Sequence, residues 1–257
     1  MRNLVVQPGD LIEVRPPASM VGSTMPPVGA EFTLHVTQDA PAPVPVLAPP
    51  SFAFTSHRFT DANLLADMPT GVAVGDLLLA WVIADDNQGA LSAPSGWTTE
   101  LAGPPKALWD GAVALFSKIA DGSEGASVNV PMVSSHNFAM AQIVRVPGVS
   151  TVTVGTLVDQ SGPANPLTVV STAAGASGLG LWFVGVHNLG SLGVDPPPTV
   201  TGAELLGYGE EYGNGGATYR LAVLYGTASP GDGSRITTQA NQDARNCDLW
   251  TLPVVVA

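Results

Sequence analysis

Residues Met68–Trp97 read MPTGVAVGDLLLAWVIADDNQGALSAPSGW and contain the apolar run Leu77–Ala84. Gly75-Asp76 precede this run, and Asp85-Asp86-Asn87 follow it. A run this short cannot cross a membrane as a helix. Because chain-breaking residues flank it on both sides, its length favours a buried strand over a buried helix. We therefore expect Leu77–Ala84 to be the central strand of a β-sandwich.

The composition of the whole chain also favours strands. Only 12% of the 257 residues are charged, while 29 are Gly and 23 are Pro. Long exposed helices need Glu, Lys, Arg and Gln, which are scarce here. Short strand-like runs with turn residues between them indicate a sandwich or barrel. The chain is predicted to be all-β, and it is long enough to bury a sizeable core.

Two shifts in composition predict three parts. Residues 1–40 are expected to be an N-terminal β arm, residues 41–50 a proline-rich linker, and residues 51–257 a jelly-roll-like β-sandwich. The segment Ala40–Pro50 reads APAPVPVLAPP, a pattern typical of a stiff extended spacer. The strands of the arm are too few to bury their own apolar side chains, so the arm is expected to attach to a partner surface. These attachment side chains are Leu4, Val6, Leu11, Val14, Phe32 and Leu34.

Within residues 51–257 the pattern of apolar runs predicts most of the strands. Trp81 and Trp182 lie in two of these runs and are expected to be almost fully buried. The segments around them are similar in sequence, and two similar halves would fit the two Greek keys of a jelly roll. The expected strands are Leu77–Ala84, Ala112–Ile119, Val128–Val130, Phe138–Val146, Val152–Val158, Leu167–Val170, Leu179–Val186, Ala217–Tyr225 and Leu249–Val256.

Charge and cysteine content exclude several classes of function. The formal net charge is −12, and a chain this acidic is repelled by a phosphate backbone, so we expect no nucleic acid as partner. Cys247 is the single cysteine and is expected to be a buried residue of the last strand, rather than a nucleophile. The first residues lack the apolar core of a signal peptide, which predicts synthesis in a cytoplasm. No membrane insertion is expected.

No pattern of catalytic or metal-ligating residues is present. His35, His57, His136 and His187 occur singly, without metal-ligand spacing, so we expect neither an enzyme nor a cofactor. The turns Asp85–Asn87 and Asp232–Ser234 carry oxygen ligands that suit hard cations, but these residues are also the ordinary residues of turns.

One segment could bind a ligand through aromatic and acidic side chains. It is predicted to be a loop, and a packed loop tip is the favoured interpretation; the alternative is a loop that stacks on and hydrogen-bonds a sugar. On a strand, by contrast, adjacent Glu210 and Glu211 would face opposite sides. The candidate residues are Tyr208, Glu210, Glu211, Tyr212 and Asn214.

Three short motifs carry a resemblance to a known family. They are Gly75-Asp76-Leu77-Leu78, Pro94-Ser95-Gly96-Trp97 and Ala120-Asp121-Gly122-Ser123-Glu124. Between Thr55 and Val149 the chain resembles a β-sandwich domain of structural proteins of tailed bacteriophages. The resemblance implies a virion protein, either a head decoration or head fibre protein or a minor tail protein.

The resemblance also implies partners. These would be other virion proteins, the major capsid or tail proteins, together with further copies of this chain in a homo-oligomer. Two alternatives stay open: a tail-fibre module that binds a receptor or a host surface glycan, and a hydrolase whose residues are dispersed along the chain.

Overall fold

The structure is a computed structural model that describes residues 50–60, 63–84, 91–103, 111–132, 136–163, 166–172, 177–188, 196–212, 218–228, 235–239 and 247–257. For residues 57–60, 103, 136–138, 188 and 212 it describes the backbone alone. The chain divides into two units, and all of these residues belong to the second, Leu47–Ala257. The predicted attachment arm, with Leu4, Val6, Leu11, Val14, Phe32 and Leu34, lies outside the described residues, as does the linker up to residue 49.

The described residues form strands, turns and connecting segments, which confirms the all-β prediction. None of their segments is a helix that could span a membrane. In chain order the strands are β1 (Ser51–Thr60), β2 (Leu64–Asp67), β3 (Leu77–Ala84), β4 (Thr98–Gly103), β5 (Ala112–Ile119), β6 (Ser127–Val130), β7 (His136–Val146), β8 (Val152–Val154), β9 (Val158–Gly162), β10 (Leu167–Ser171), β11 (Gly178–Asn188), β12 (Thr199–Val200), β13 (Glu204–Tyr212), β14 (Thr218–Ala228), β15 (Arg235–Gln239) and β16 (Cys247–Val256).

Two large antiparallel sheets form the body of the unit. The first has the order β1-β7-β3-β5-β4, and the second has the order β13-β14-β11-β16-β8, with β9 also paired to β16. β3 lies at the centre of the first sheet, as predicted for Leu77–Ala84. The two smaller sheets are β2-β6 and β10-β15-β12.

The predicted strand bounds agree best where the strand is buried. β3 and β5 coincide with the predicted runs, whereas the predicted strand Val152–Val158 is divided between β8 and β9. The sequence pattern gave no bounds for β1 and missed β2, β4, β12, β13 and β15. The missed strands lie at sheet edges or in the small sheets and carry a weaker apolar pattern, and all except β13 are short.

The inner core lies between the two large sheets. Trp81 of β3 and Phe183 of β11 meet there with ring centroids 5.9 Å apart. Gln142 of β7 donates a hydrogen bond across the gap to the carbonyl oxygen of Leu221, at 3.3 Å. Facing apolar side chains from both sheets fill the space between them, so the two sheets form a sandwich.

Each large sheet is also covered on its other face. The β2-β6 sheet contributes Leu64, Ala66 and Val130 to a cluster on the outer face of the first sheet. The β10-β15-β12 sheet contributes Leu167, Val169 and Val200 to a cluster on the outer face of the second. The described part of the second unit therefore has layers in the order small sheet, large sheet, large sheet, small sheet.

The two halves of the chain repeat one arrangement of strands. In the first half β3 pairs with β5 and β7, β4 pairs with β5, β1 pairs with β7, and β2 pairs with β6. In the second half β11 pairs with β14 and β16, β13 pairs with β14, β8 and β9 pair with β16, and β10 pairs with β15. We call strands and residues at matching positions of the two halves counterparts.

The repeat extends to the pairing registers. Leu77 lies opposite Ile119 and Val146, and its counterpart Leu179 lies opposite Thr227 and Val256. The pairing register of each edge strand also shifts at a matching place. The shift lies between Thr99 and Leu101 in β4 and between Leu205 and Gly207 in β13. The similarity of the halves is therefore present in three dimensions.

These registers correct the alignment of the two halves that the sequence suggested. Counting from Leu77 and Leu179, the counterpart of Trp81 is Phe183, and Trp182 is the counterpart of Ala80. Trp81 and Trp182 are 0% and 1% exposed, as predicted, but Trp81 lies in the inner core and Trp182 in the outer one. Jelly-roll connectivity is not confirmed, because each large sheet takes its strands from one half of the chain.

Replacing Trp81 by Ala is expected to lower the free energy of unfolding by about 3–5 kcal/mol, because a cavity would open between the sheets. Urea or guanidinium unfolding measures the loss. Val74→Ala is the control, because Val74 is 74% exposed. A loss at Trp81 as small as that at Val74 would contradict the assignment of the inner core.

Candidate functional site

The segment predicted to be a ligand-binding loop is part of a strand. Tyr208, Glu210, Glu211 and Tyr212 belong to β13, which pairs with β14 as far as Tyr212 opposite Thr218. The loop prediction is therefore wrong for these four residues. Pairing along β14 outweighs the weak strand propensity of the Gly and Glu residues in this segment. Asn214 and the side chain of Tyr212 lie outside the described residues.

The strand divides the predicted group between two faces. Tyr208 and Glu210 lie on the outer face, where the Tyr208 hydroxyl donates to Glu210 Oε2 at 2.6 Å. Glu211 is directed the other way and accepts a hydrogen bond from the Ser56 hydroxyl at 2.6 Å. This confirms the opposite facing of Glu210 and Glu211 expected for a strand.

Gly207 and Gly209 explain how β13 fits against β1. A Cβ atom at either position would overlap an aromatic ring, that of Phe52 at Gly207 and that of Phe54 at Gly209. The absence of a side chain therefore lets the two edge strands approach closely.

On the outer face, Arg220 of β14 completes a polar group with Tyr208 and Glu210. Arg220 is 0% exposed, and its Nε donates to Glu210 Oε2 at 3.2 Å. An arginine stays charged when buried, so the carboxylate beside it is needed to offset the loss of water. Burial, together with the hydrogen bond to Glu210, raises the pKa of Tyr208 above its ordinary value.

On the inner face, a histidine and an aspartate form a buried pair. His187 Nδ1 lies 3.3 Å from Asp248 Oδ2, and each residue is 5% exposed. The imidazole stacks on the ring of Tyr219, with centroids 4.6 Å apart and planes inclined by 14°. Asp248 Oδ1 has no hydrogen-bond partner among the described residues. The imidazole nitrogen and the carboxylate oxygen thus lie within hydrogen-bond distance of each other in the inner core.

We call these residues the polar end of the second sheet. They lie on both of its faces, where β11 and β13 end and where β14 and β16 begin. The polar end consists of His187, Tyr208, Glu210, Tyr219, Arg220 and Asp248.

At three matching positions that the structure describes, the first half carries apolar residues. There Ala102 is the counterpart of Tyr208, Ala112 that of Arg220, and Phe138 that of Asp248. The polar end therefore distinguishes the second half from the first. Sequence reasoning identified Glu210 but missed Arg220 and Asp248, because their proximity depends on which strands are neighbours.

The described histidine does not decide whether the chain is an enzyme. The side chains of His57 and His136 and the whole of His35 lie outside the described residues, so convergence of the histidines in one cleft is not tested. The expectation of a non-enzymatic chain stays a prediction. Cys247 is buried in β16, as predicted.

Metal-ligating side chains are not clustered in the described part of the chain, where no group of three or more could hold an ion. The two acidic turns at residues 85–87 and 232–234 lie outside that part. Whether they bind a cation therefore stays open.

Two open clefts flank Lys118 in the first half. The larger, of about 290 Å³, is lined by polar side chains that include Thr98, Glu100 and Ser117. The smaller, of about 180 Å³, is lined by Trp97 and Glu124 among others. In the larger cleft the Ser117 hydroxyl donates to Glu100 Oε1 at 2.5 Å, so these two polar groups already bond to each other.

The turn between these clefts is the third motif of the resemblance, Ala120–Glu124. Lys118 Nζ lies 2.8 Å from Glu124 Oε1 and 3.3 Å from Asp121 Oδ2. Glu124 also accepts hydrogen bonds from the backbone N–H groups of Asp121 and Gly122, at 3.1 and 2.9 Å. The charged residues of this motif therefore fix a turn.

The other two motifs also have structural roles. Asp76 Oδ2 accepts hydrogen bonds from the Ala73 backbone N–H at 2.7 Å and from Arg145 Nε at 2.6 Å, which holds the turn before β3. In the second motif the Trp97 N–H donates to the Pro94 carbonyl at 3.0 Å, and Gly96 supplies the positive φ of 81°.

No protein-family model, curated protein or solved structure significantly matches this chain.

Replacing Arg220 by Ala is expected to lower the free energy of unfolding by about 3–5 kcal/mol, because the partly buried Glu210 carboxylate would lose this cation and a cavity would open where the buried Arg220 side chain lies. Glu204→Gln is the control on the neighbouring strand β13, because the Tyr225–Glu204 hydrogen bond, 2.9 Å long, is exposed. Its expected cost is much smaller, because water replaces an exposed hydrogen bond. Equal losses in the two variants, measured by chemical denaturation, would contradict the buried ion pair.

Hydrogen bonds from the Ser123 hydroxyl and backbone lower the pKa of Asp121 to about 2, with a smaller effect of Lys118. Because this pKa lies below the ordinary value, the stabilisation is complete above about pH 4 and is lost as the pH falls towards 2. An NMR titration should give a midpoint near 2. Ser123→Ala should raise that midpoint more than Lys118→Met does; the reverse order would contradict the assignment.

Proposed function

We propose that this chain is a non-enzymatic structural protein of a tailed-bacteriophage virion, most simply a capsid decoration or head fibre protein. Its N-terminal residues would dock on the particle, and its β-sandwich would project from the surface. Minor tail protein is the second location that the same resemblance implies.

The observation that carries this proposal is the structural role of the three motifs behind the resemblance. Each one builds a turn next to a strand of the first sheet, through Asp76, the Pro94–Trp97 turn or the Ala120–Glu124 turn. Residues that set turns specify a fold and not a reaction. A sandwich used for its shape and rigidity fits a structural role in a particle.

The charge and the core of the molecule support the same role. The net charge of −12 keeps a projecting domain soluble and limits unspecific contact with other acidic surfaces. The sandwich buries three apolar clusters, so it can hold its shape without a bound ligand.

Glycan binding is less favoured by the described geometry. Tyr208 and Glu210 bond to each other, and Arg220 bonds to Glu210, inside the sheet. They therefore have a stabilising role that does not require a sugar.

Removal of residues 1–45 is expected to leave the sandwich folded and to abolish attachment to particles, because the proposed docking element would be missing. The full chain and the truncated chain are each added to particles of the parent phage that lack the protein, and bound protein is measured after sedimentation. Equal melting temperatures serve as the folding control. Full occupancy by the truncated chain would refute docking through the arm, and absence of the full chain from purified virions would refute the proposed function.

A further inference from the structure

The larger cleft beside Lys118 lies at one edge of the sandwich, where the two large sheets meet. The first sheet contributes its edge strand β4 and the end of β5, and the second sheet contributes the residues that lead into its edge strand β8. We call this space the edge cleft; the described lining residues that decide its chemistry are Thr98, Glu100, Ser117, Ile119, Ser150 and Val152.

The second half of the chain fills the matching place with its own side chains. By register Tyr225 is the counterpart of Ser117. Leu206, at the register shift of β13, is the counterpart of Glu100 at the shift of β4. Tyr225 and Leu206 both pack against the inner core. The same arrangement of strands therefore accepts a tyrosine and a leucine here, so folding alone does not require the serine and the glutamate of the edge cleft.

Glu100 is the charged residue through which the edge cleft can bind a ligand. Its Oε1 accepts a hydrogen bond from the buried Ser117 hydroxyl at 2.5 Å, which orients the carboxylate and leaves Oε2 for a further donor. Lys118 does not neutralise it, because its Nζ lies 2.8 Å from Glu124 Oε1 and 3.3 Å from Asp121 Oδ2. Among the described residues, the Glu100 carboxylate is therefore without a cation.

The described lining of the edge cleft favours a cation carried on an aliphatic stem. A divalent ion takes about six or more oxygen ligands, and no group of three or more metal-ligating side chains is found in the described part of the chain. An anion would be repelled by Glu100. A basic side chain meets Glu100 with its charge, and it meets Ile119, which is 42% exposed, with its methylene groups.

The size of the edge cleft agrees with a single side chain as its occupant. Its volume is about 290 Å³. Pockets that hold drug-sized ligands have volumes of about 300–1,000 Å³, so this space lies at the lower limit of that range. It is open to solvent at the edge of the sandwich, so a side chain can enter while the backbone that carries it stays outside.

We propose that the edge cleft receives an arginine side chain of a partner protein. A planar guanidinium carries several N–H donors in a fixed fork, so it can donate to the Glu100 carboxylate and to neighbouring hydroxyl oxygens together. The ammonium group of lysine is more strongly hydrated and loses more on leaving water. The net charge of −12 attracts a basic partner from a distance, and the edge cleft gives that partner a defined point of contact.

The test is an NMR titration of the full chain with the blocked tripeptide acetyl-Gly-Arg-Gly-amide. The amide signals of Glu100, Ser117 and Ser150 should shift together, with a dissociation constant on the order of 5 mM, because one side chain is a small ligand. Glu100→Gln keeps the size of the side chain but removes its charge, and it should raise this constant at least about tenfold. Glu204→Gln, which removes an exposed carboxylate of the second half, should leave the constant unchanged.

A matched peptide with citrulline in place of arginine has nearly the same shape without the charge, and it should not shift these signals. Three results would overturn the proposal. They are the absence of shifts up to about ten times the expected dissociation constant, equal binding of the two peptides, and equal binding by Glu100→Gln and wild type. Melting temperatures check that both variants fold. No particles are needed, so this proposal and the proposed virion function can fail independently.

Discussion

The contact between Trp81 of β3 and Phe183 of β11 lies in the inner core, and the arrangement of both sheets depends on it. Every residue of β3 is buried, so this strand needs cover on both faces. Its own half supplies the β2-β6 sheet for one face, while only the other half can cover the second face. Neither half alone would bury its central strand, and the two halves therefore form one structural unit.

Burial also decides how much of the fold could be predicted. Strands covered on both faces appear as continuous apolar runs, so the bounds of β3 and β5 followed from the sequence. β13 was not predicted because it contains Gly207 and Gly209, and glycine has a weak intrinsic preference for strands. These glycines leave room for the rings of Phe52 and Phe54, which a sequence pattern does not show. The similarity of the halves was visible in the sequence, but its register was wrong by one residue. Because side chains alternate, such a slip exchanges the inner face for the outer.

The polar end shows a different limit of sequence reasoning. Opposite facing of Glu210 and Glu211 could be predicted, since alternation is a local property of any strand. The approach of His187 to Asp248 depends on the pairing of β11 with β16, which brings together residues that lie far apart in the sequence. Each of these residues taken singly has no sequence neighbour that would mark it as part of a group.

The repeat of the two halves allows requirements of the fold to be separated from other features. A position where both halves carry the same kind of residue is explained by packing, as for Leu77 and Leu179. A position where they differ, although the backbone registers agree, is not dictated by the fold. The polar end is a difference of this kind, and it belongs to the second half. The turn motifs of the resemblance lie in the first half, so each half carries residues that the shared arrangement of strands does not require.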